Sequence, residues 1–278
     1  MKPIADHDLE SPPMRQTISV AIITLNEEAN LPRTLASVAF ADQIVVVDSG
    51  STDRTVEIAQ SFHAIVVHQP WLGFAAQKNA AIALCTGDWV LSLDADEELS
   101  PDLQTQIRAY IPTNPRVDAY YLKRRNLFLG RWIKHGGFYP DPKLRLFRRD
   151  AVGFNQTPQF QNRLVHETIS FSGSSDTLDY DLIHHAYPTL ESYIEHMDRY
   201  STLGAEHLLL NHKDSRHPLT FFFNVFIIPN LTFLWNFLFR LGILDGREGL
   251  LLHLYQATYT SWKYAKAWQK ARFTEPTP

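Results

Sequence analysis

Short apolar runs alternate with amphipathic stretches through roughly the first 110 residues. Residues 18–23 (ISVAII) form a β-branched run, a pattern that predicts a strand buried on both faces. Asn26 suits a helix N-cap, with Glu27 and Glu28 in a first turn. Leu31, Leu35 and Val38 then recur at i, i+4 and i+7, predicting one apolar helix face. Residues 44–47 (IVVV) predict a second strand. Ser49-Gly50-Ser51 turns from it into a helix carrying Val56, Ala59 and Phe62. Residues 64–67 predict a third strand, 75–84 a helix of small residues, and 89–93 a fourth strand. Ser100-Pro101 marks the start of a further helix, with Leu103, Ile107 and Tyr110 on one face.

Four apolar strands alternating with helices describe a parallel sheet covered on both faces. Such sheets bind ligands at the carboxyl ends of their strands, so the loops after each strand are where chemistry is expected. Those loops read Thr24-Leu25-Asn26-Glu27, Asp48-Ser49-Gly50-Ser51-Thr52-Asp53 and Asp94-Ala95-Asp96-Glu97. The chain has neither GxGxxG after the first strand nor GxxxxGK[ST] anywhere, so both common phosphate-loop fingerprints are missing.

Past residue 113 the alternation stops. Residues 123–149 hold nine Lys/Arg and a single acid, Asp141, interleaved with aromatics. Residues 190–213 read as helical. Residues 219–239 carry no charge and eight Phe/Trp, and the last 25 or so residues predict an amphipathic helix with Lys263, Lys266 and Lys270 near one face.

The length of 278 residues suits one large domain or a domain with an extension. A net charge of −4 argues against bulk attraction to nucleic acid. The single cysteine, Cys85, excludes an intramolecular disulfide framework and a zinc site of several thiolates. Acids and prolines occupy residues 1–16, where a secretory signal needs an apolar core, so this stretch reads as a flexible leader of a cytoplasmic protein.

Asp94 and Asp96, one residue apart at a strand end, offer hard oxygen ligands suited to Mg²⁺ or Mn²⁺. The plainer reading is a solvated acidic turn ahead of a capped helix. Asp48 can accept hydrogen bonds from a base or ribose edge, while Asp53 suits the cap of the next helix. Lys78 is read either as a positive charge near a phosphate or as an exposed helix lysine.

Together these residues resemble family 2 glycosyltransferases of the GT-A fold. The resemblance is carried, in order, by SVAIITLNEEANL, IVVVDSGSTDRT, GFAAQKNAAI and TGDWVLSLDADEEL. It continues through LGRWIKHGGFYPDPKLRLFRR, RLVHE, LIHH, LGILDGREGLL and YAKAW. That longer set is similar to the bacterial branch containing lipopolysaccharide core β-1,4-glucosyltransferases. The resemblance implies a GT-A Rossmann-like, mostly parallel sheet with helices on both faces, plus a C-terminal helical extension. The implied division is a leader over 1–16, a GT-A domain over 17–188 (nucleotide-binding half 17–112, acceptor half 113–188) and a helical extension over 189–278.

It also implies an inverting transfer of a hexose, glucose foremost, from a nucleotide-diphosphate sugar such as a UDP-sugar to a glycan or lipid-linked acceptor. Thr24, Asn26 and Glu27 would line the nucleotide pocket, Asp48 would contact the base, and Lys78 would sit near the base or diphosphate. Asp94 would touch ribose or metal, Asp96 would bind the metal, and His184 (rather than His185) would complete the metal or phosphate site. Inversion needs a general base, for which Glu167 is the first choice and Asp141 the second. A salt bridge between Glu167 and Arg163 or another basic neighbour is its plainer role. Arg145, Arg148 and Arg149 read as holding a diphosphate or an anionic acceptor, with a structural rim of salt bridges as the alternative.

Residues 219–239 are long enough to span a bilayer. Asn224, Asn230, Asn236, Pro229 and the aromatics favour an interfacial helix pair with the terminal helix, reaching over 219–273, ahead of a buried core or a span. Peripheral contact at the inner face of the cytoplasmic membrane follows from that choice. The rival from another class is a non-catalytic, membrane-attached nucleotide-sugar or carbohydrate-binding protein. Within enzymes, a nucleotidyltransferase lacks its Gly-rich phosphate loop here.

Overall fold

The β-branched runs pair as expected. The computed structural model describes residues 15–113, 116–150, 159–161, 168–170, 173–213 and 215–273. Strands β1 (Ile18–Thr24), β2 (Gln43–Asp48), β3 (Ile65–His68) and β4 (Trp89–Asp94) lie parallel in the order β3-β2-β1-β4. Alternate residues of β1 feed two cores. Ile18, Val20 and Ile22 pack with Leu31, Leu35, Leu103 and Ile107 on one face. Ala21 and Ile23 pack with Ala75, Ala81 and Ile82 on the other. Helices α1 (Leu31–Ser37), α2 (Thr55–Ser61) and α4 (Pro101–Tyr110) carry first-core residues or pack against that core, and α3 (Phe74–Ala83) covers the second face.

Two local expectations shift. Helix α1 starts at Leu31, not after Asn26; Pro32 occupies its first turn, where a missing N–H is no loss. Asn26 instead adopts a left-handed φ of 56°, and its side-chain oxygen accepts from the Thr52 N–H at 2.8 Å. On α4, Leu103 and Ile107 face the core but Tyr110 is exposed, its place taken by Ile111.

After α4, parallel pairing gives way to a mixed sheet. Strands β5 (Glu97–Leu99), β6 (Ala119–Phe128), β7 (Arg131–Trp132), β8 (Asp141–Arg148) and β11 (Ser175–Tyr187) extend it in the order β4-β8-β6-β11-β5, with β7 on β6. Strands β9 (Gln159–Gln161) and β10 (Thr168–Ser170) form a separate pair. Strands β4 and β5 stand apart in this order, yet only Ala95 and Asp96 join them. So short a link reaches about 10 Å, so the sheet must curl until β5 returns to the end of β4. The curl sets β4, β5, β6, β8 and β11 around one mouth.

Beyond Thr189, whose hydroxyl accepts from the Ser192 N–H at 3.1 Å, α5 (Leu190–Leu210) begins. Next comes one helical rod, Pro218–Phe239, made of α6 (Pro218–Phe222), a π turn, α7 (Ile228–Leu234) and a second π turn. Pro229 does not split the run: it sits in the first turn of α7, directly after a π turn that already widens the ladder. The three asparagines are satisfied, Asn224 by Ser215 Oγ at 2.8 Å, Asn230 by the Phe226 carbonyl at 2.7 Å and Asn236 by Gln256 Oε1 at 3.3 Å. Only 11% of the rod's apolar window is buried, which overturns the buried-core reading.

Helix α8 (Gly246–Phe273) lies between the rod and α5. Lys266 bonds Asp198 at 2.6 Å and Lys270 bonds Glu206 at 2.6 Å, while the Lys263 stem lies over Gly204. The face that carries these three lysines is thus turned to α5.

The extension is also fastened to the sheet. The Asp245 carboxylate accepts from the N–H groups of Lys134 and His135 at 3.2 and 2.8 Å. Gly136 and Gly137 have φ of 66° and 87°, and the His253 ring and Arg240 guanidinium fill the space their Cβ atoms would need. Gly136→Ala is therefore expected to destabilise the fold by about 1–3 kcal/mol through overpacking, with about 1 more from the left-handed backbone. A thermal melt reads this, and an unchanged midpoint would sink the packing account.

Candidate active site

Strand polarity brings the acids to the mouth. Asp94 ends β4, and its two oxygens are held separately, Oδ1 by Lys78 Nζ at 2.7 Å and Oδ2 by Arg145 at 2.6 Å. Lys78 is buried, and it also stacks over the Phe160 ring at 5.0 Å, so it is not an exposed helix lysine. Burial alone would raise the Asp94 carboxyl, but the charges of Arg145 and Lys78 outweigh it and hold the group well below the usual carboxylate range.

Arg145 bridges onward to Glu97 at 2.7 Å, and Glu97 is met by Arg124 at 3.4 Å. Arg124 in turn pairs with Asp141 at 2.8 Å, whose other oxygen takes Lys143 at 2.9 Å. Burial raises the Asp141 carboxyl, yet Arg124 and Lys143 prevail and lower it. Four carboxylates, counting Asp96 in the link between β4 and β5, thus gather with four cations from four strands and one helix.

Asp96 stands apart within this mouth. Its ion pair among the described residues is with His184 Nε2 at 3.3 Å, and His184 Nδ1 meets Asn126 Oδ1 at 2.8 Å. Burial would raise Asp96; His184 outweighs it, and the carboxyl is lowered. His185, pointing the other way on β11, pairs with Glu98 at 3.1 Å. Glu27 borders the same acids: burial pushes its carboxyl up against the Asn30 hydrogen bond, and Asp96, Asp53 and Asp94 add to the rise.

The nucleotide-side residues cluster at the ends of β1 and β2. Thr24 is buried with its hydroxyl unpartnered, an orphan that invites a ligand. Asn26 ties its loop to Thr52, and the Glu27 N–H donates to Thr55 Oγ1 at 2.8 Å. Asp48 is folded into its own turn, accepting from the N–H groups of Gly50 and Ser51 at 2.9 and 3.0 Å and from Ser51 Oγ. Asp53 accepts from the Thr55 N–H at 3.0 Å, close to its expected capping role at α2.

Three expected roles are corrected. Arg145 is buried between Asp94 and Glu97, so it shapes the mouth from within rather than reaching an acceptor. Arg148 pairs opposite Trp89, at the start of β4, and Arg149 binds the Gly87 carbonyl; both lie at the far end of the sheet from the acids. Asp94 carries a cation on each oxygen. Glu167 lies outside the described residues.

Sequence reading missed Glu97, Arg124 and Asn126 as parts of the site. Glu97 was visible only as another acid of the DADEE run, and Arg124 as one of many basic residues; nothing local says that β5 and β6 meet.

Among the described residues, no three of His, Cys, Asp and Glu converge to hold a metal unaided. The Asp96–His184 pair nonetheless suits a Mg²⁺ or Mn²⁺ ion that takes its remaining ligands from phosphate oxygens.

Comparison with known proteins supplies the rest. The sequence model of glycosyl transferase family 2 matches residues 19–163. An uncharacterised glycosyltransferase of Rickettsia bellii is 36% identical over 210 residues, 70% of this chain and 69% of its own. A lipopolysaccharide core biosynthesis glycosyltransferase of Rhizobium meliloti is 28% identical over 260 residues, 91% of this chain and 92% of its own. Among solved structures, a mannosyltransferase of Pyrobaculum calidifontis in complex with GDP-mannose and Mn²⁺ matches with a TM-score of 0.53 at 18% identity, covering 96% of this chain and 92% of that one. That likeness establishes the shared fold.

Proposed function

The chain belongs to glycosyl transferase family 2, and from that membership we propose that it is an inverting, metal-dependent hexosyltransferase. The donor is a nucleotide-diphosphate sugar, UDP-glucose foremost. The acceptor is a glycan carried on lipid, of the lipopolysaccharide core class in which the Rhizobium relative is named. We read residues 17–188 as the transferase domain and 189–278 as its helical extension, acting at the cytoplasmic face of the membrane through peripheral contact over 219–273.

The observation that carries this reading is the mouth itself: Asp96 and His184 paired at 3.3 Å beside an Asp94 pinned by Lys78 and Arg145. Asp96 and His184 would hold Mg²⁺ or Mn²⁺, which supplies Lewis-acid neutralisation of the diphosphate. Asn126 orients the imidazole through Nδ1, leaving Nε2 toward Asp96. Lys78 and Arg145 fix Asp94 in its ionised form, an acceptor for donor hydroxyls at the strand end. Thr24 offers its unpartnered hydroxyl, and Asn26, Glu27 and Asp48 shape the nucleotide rim.

The acceptor hydroxyl must lose its proton to a carboxylate facing away from the nucleotide. Asp141 is poorly suited: Arg124 and Lys143 occupy its oxygens and lower its basicity. Glu167 therefore remains the assigned base.

The test is thermal stability against a panel of nucleotide sugars with and without Mn²⁺. A ligand at a hundredfold excess over its dissociation constant stabilises by about 2.7 kcal/mol. A Mn²⁺-dependent shift with one UDP-sugar is expected, and no shift with any nucleotide would favour the non-catalytic rival. Glu167→Gln should keep that shift and lose transfer; if it transfers normally, the base is another residue.

A further inference from the structure

The rod Pro218–Phe239 has two unlike faces. Phe221, Asn224, Val225, Phe233, Asn236 and Phe237 are at most partly exposed, and contacts run along α8. Phe221 packs on Trp268 at 4.9 Å, Ser261 Oγ donates to the Val225 carbonyl at 2.9 Å, and Asn236 meets Gln256. The opposite face presents Leu219, Phe222, Phe226, Leu234 and Leu238, all 43% exposed or more. These positions fall three, four, eight and four residues apart, with exposed Asn230 midway through the longest step. An α-helix would drift by about 40° per four residues, but the two π turns offset that drift and keep the stripe straight. Leu241, Ile243 and Leu244 extend the apolar surface around the tip, and Leu250 and Leu254 continue it onto α8. An open groove of about 510 Å³ lies along the rod between Ile228, Leu231, Trp235 and Phe239. So large a contiguous apolar surface marks an interaction site.

We propose that this surface docks the protein in the plane of an anionic lipid bilayer, with the rod lying along the interface rather than across it. The proposal rests on the glycolipid-acceptor reading for its purpose and sharpens it by assigning the contact to the rod's outer face and tip. Charge complementarity commits it to lipid. Exposed Lys213 and His217 precede the rod and exposed Arg247 follows it, while of the nearby acids among the described residues Asp245 is buried and Glu248 pairs with Arg131 at 3.6 Å. Such cations beside an apolar helix face suit anionic headgroups.

Packing decides the orientation. The rod contacts α8 near both ends, and α8 is ion-paired to α5 through Lys266–Asp198 and Lys270–Glu206. A span would draw those charges into hydrocarbon, where each is expensive. A rod lying flat leaves them on the aqueous side and buries only its outer face.

The experiment uses the full chain and sedimentation with phosphatidylcholine vesicles, with and without phosphatidylglycerol. Binding is expected to the anionic vesicles, and at least tenfold weaker binding is expected for Phe226→Glu/Leu234→Glu. Both side chains are exposed, so an unchanged melt confirms that the variant is folded. Leu238→Cys, labelled with a polarity-sensitive dye while Cys85 stays buried, should be quenched more by shallow than by deep lipid quenchers. Undiminished binding by the double variant, stronger deep quenching, or a dimer lost in the variant without vesicle binding would each overturn the proposal. Sedimentation needs neither donor nor acceptor. Vesicle binding without sugar transfer would count against the transferase reading alone, and transfer to a free glycan without vesicle binding against the docking alone.

Discussion

Asp96→Asn is expected to lower kcat/KM for sugar transfer by about 10²–10⁴ and to abolish the Mn²⁺-dependent stabilisation by nucleotide sugar, because the Lewis-acid contribution is worth several kcal/mol. The change removes the anionic ligand and preserves shape. Asp96 meets His184 and, among the described residues, no lysine or arginine by ion pair, so little folding energy rests on it. The melt without ligand should therefore stay nearly unmoved. That separates the result from simple unfolding, and retention of Mn²⁺-dependent transfer would remove Asp96 from the metal site. His184→Ala should fall in the same direction, and Asn126→Ala by less, as expected of a group that only orients a ligand.

Arg145→Leu is expected to have the largest effect on stability. The guanidinium is buried and bridges Asp94 at 2.6 Å and Glu97 at 2.7 Å, and Glu97 has no exposure at all. Removing the guanidinium leaves Asp94 to Lys78 and Glu97 to Arg124, a buried network one cation short, and costs up to about 3–5 kcal/mol. For a chain of this size that is on the order of 10 °C in melting temperature. Arg145→Lys keeps the charge but reaches both carboxylates poorly, so it should recover only part of the loss.

The pH dependence carries a sign. Asp94 and Asp141, the carboxylates held by lysine and arginine, titrate lower folded than the usual 3.9 or so of an unfolded aspartate. Their contribution is therefore complete above about pH 5 and lost as pH falls below about 4, through their folded values. In Arg145→Leu, burial of Asp94 is opposed only by Lys78 and His184, and its pKa rises. The gap to wild type should narrow as pH is lowered. A gap that is pH-independent, or smaller than about 1 kcal/mol, would mean the ion network does not hold the curl.

Legibility differed by region for identifiable reasons. Val20, Ile22, Val45 to Val47 and Leu91 lie in strands buried on both faces, so every position must be apolar and the run shows in one dimension. Asp94 and Asp96 were readable as strand-end acids for the same reason. By contrast, Arg145 and Arg148 occur three residues apart in one basic segment, and no local pattern says that one enters the mouth while the other leaves at the opposite end. Lys263, Lys266 and Lys270 matched an amphipathic surface helix, yet α5 supplies their partners.

What the amino-acid order determined by itself was the local chemistry: buried parallel strands, the acids that end them, and an uncharged segment with no lysine or arginine to interrupt it. These follow from solvation of single side chains and from the pleat and helix periods, which act over a few residues. Only the tertiary structure decided which charges neutralise which. Asp94 became a cation-bound anchor while Asp96, two residues on, was left to His184, because α3, antiparallel β8 and the returning β11 deliver Lys78, Arg145 and His184 from 16, 51 and 88 residues away. Ion pairing depends on distances of a few ångströms that chain connectivity does not set, so curling of the sheet, rather than any motif, selected which of the two carboxylates meets lysine and arginine and which meets a histidine.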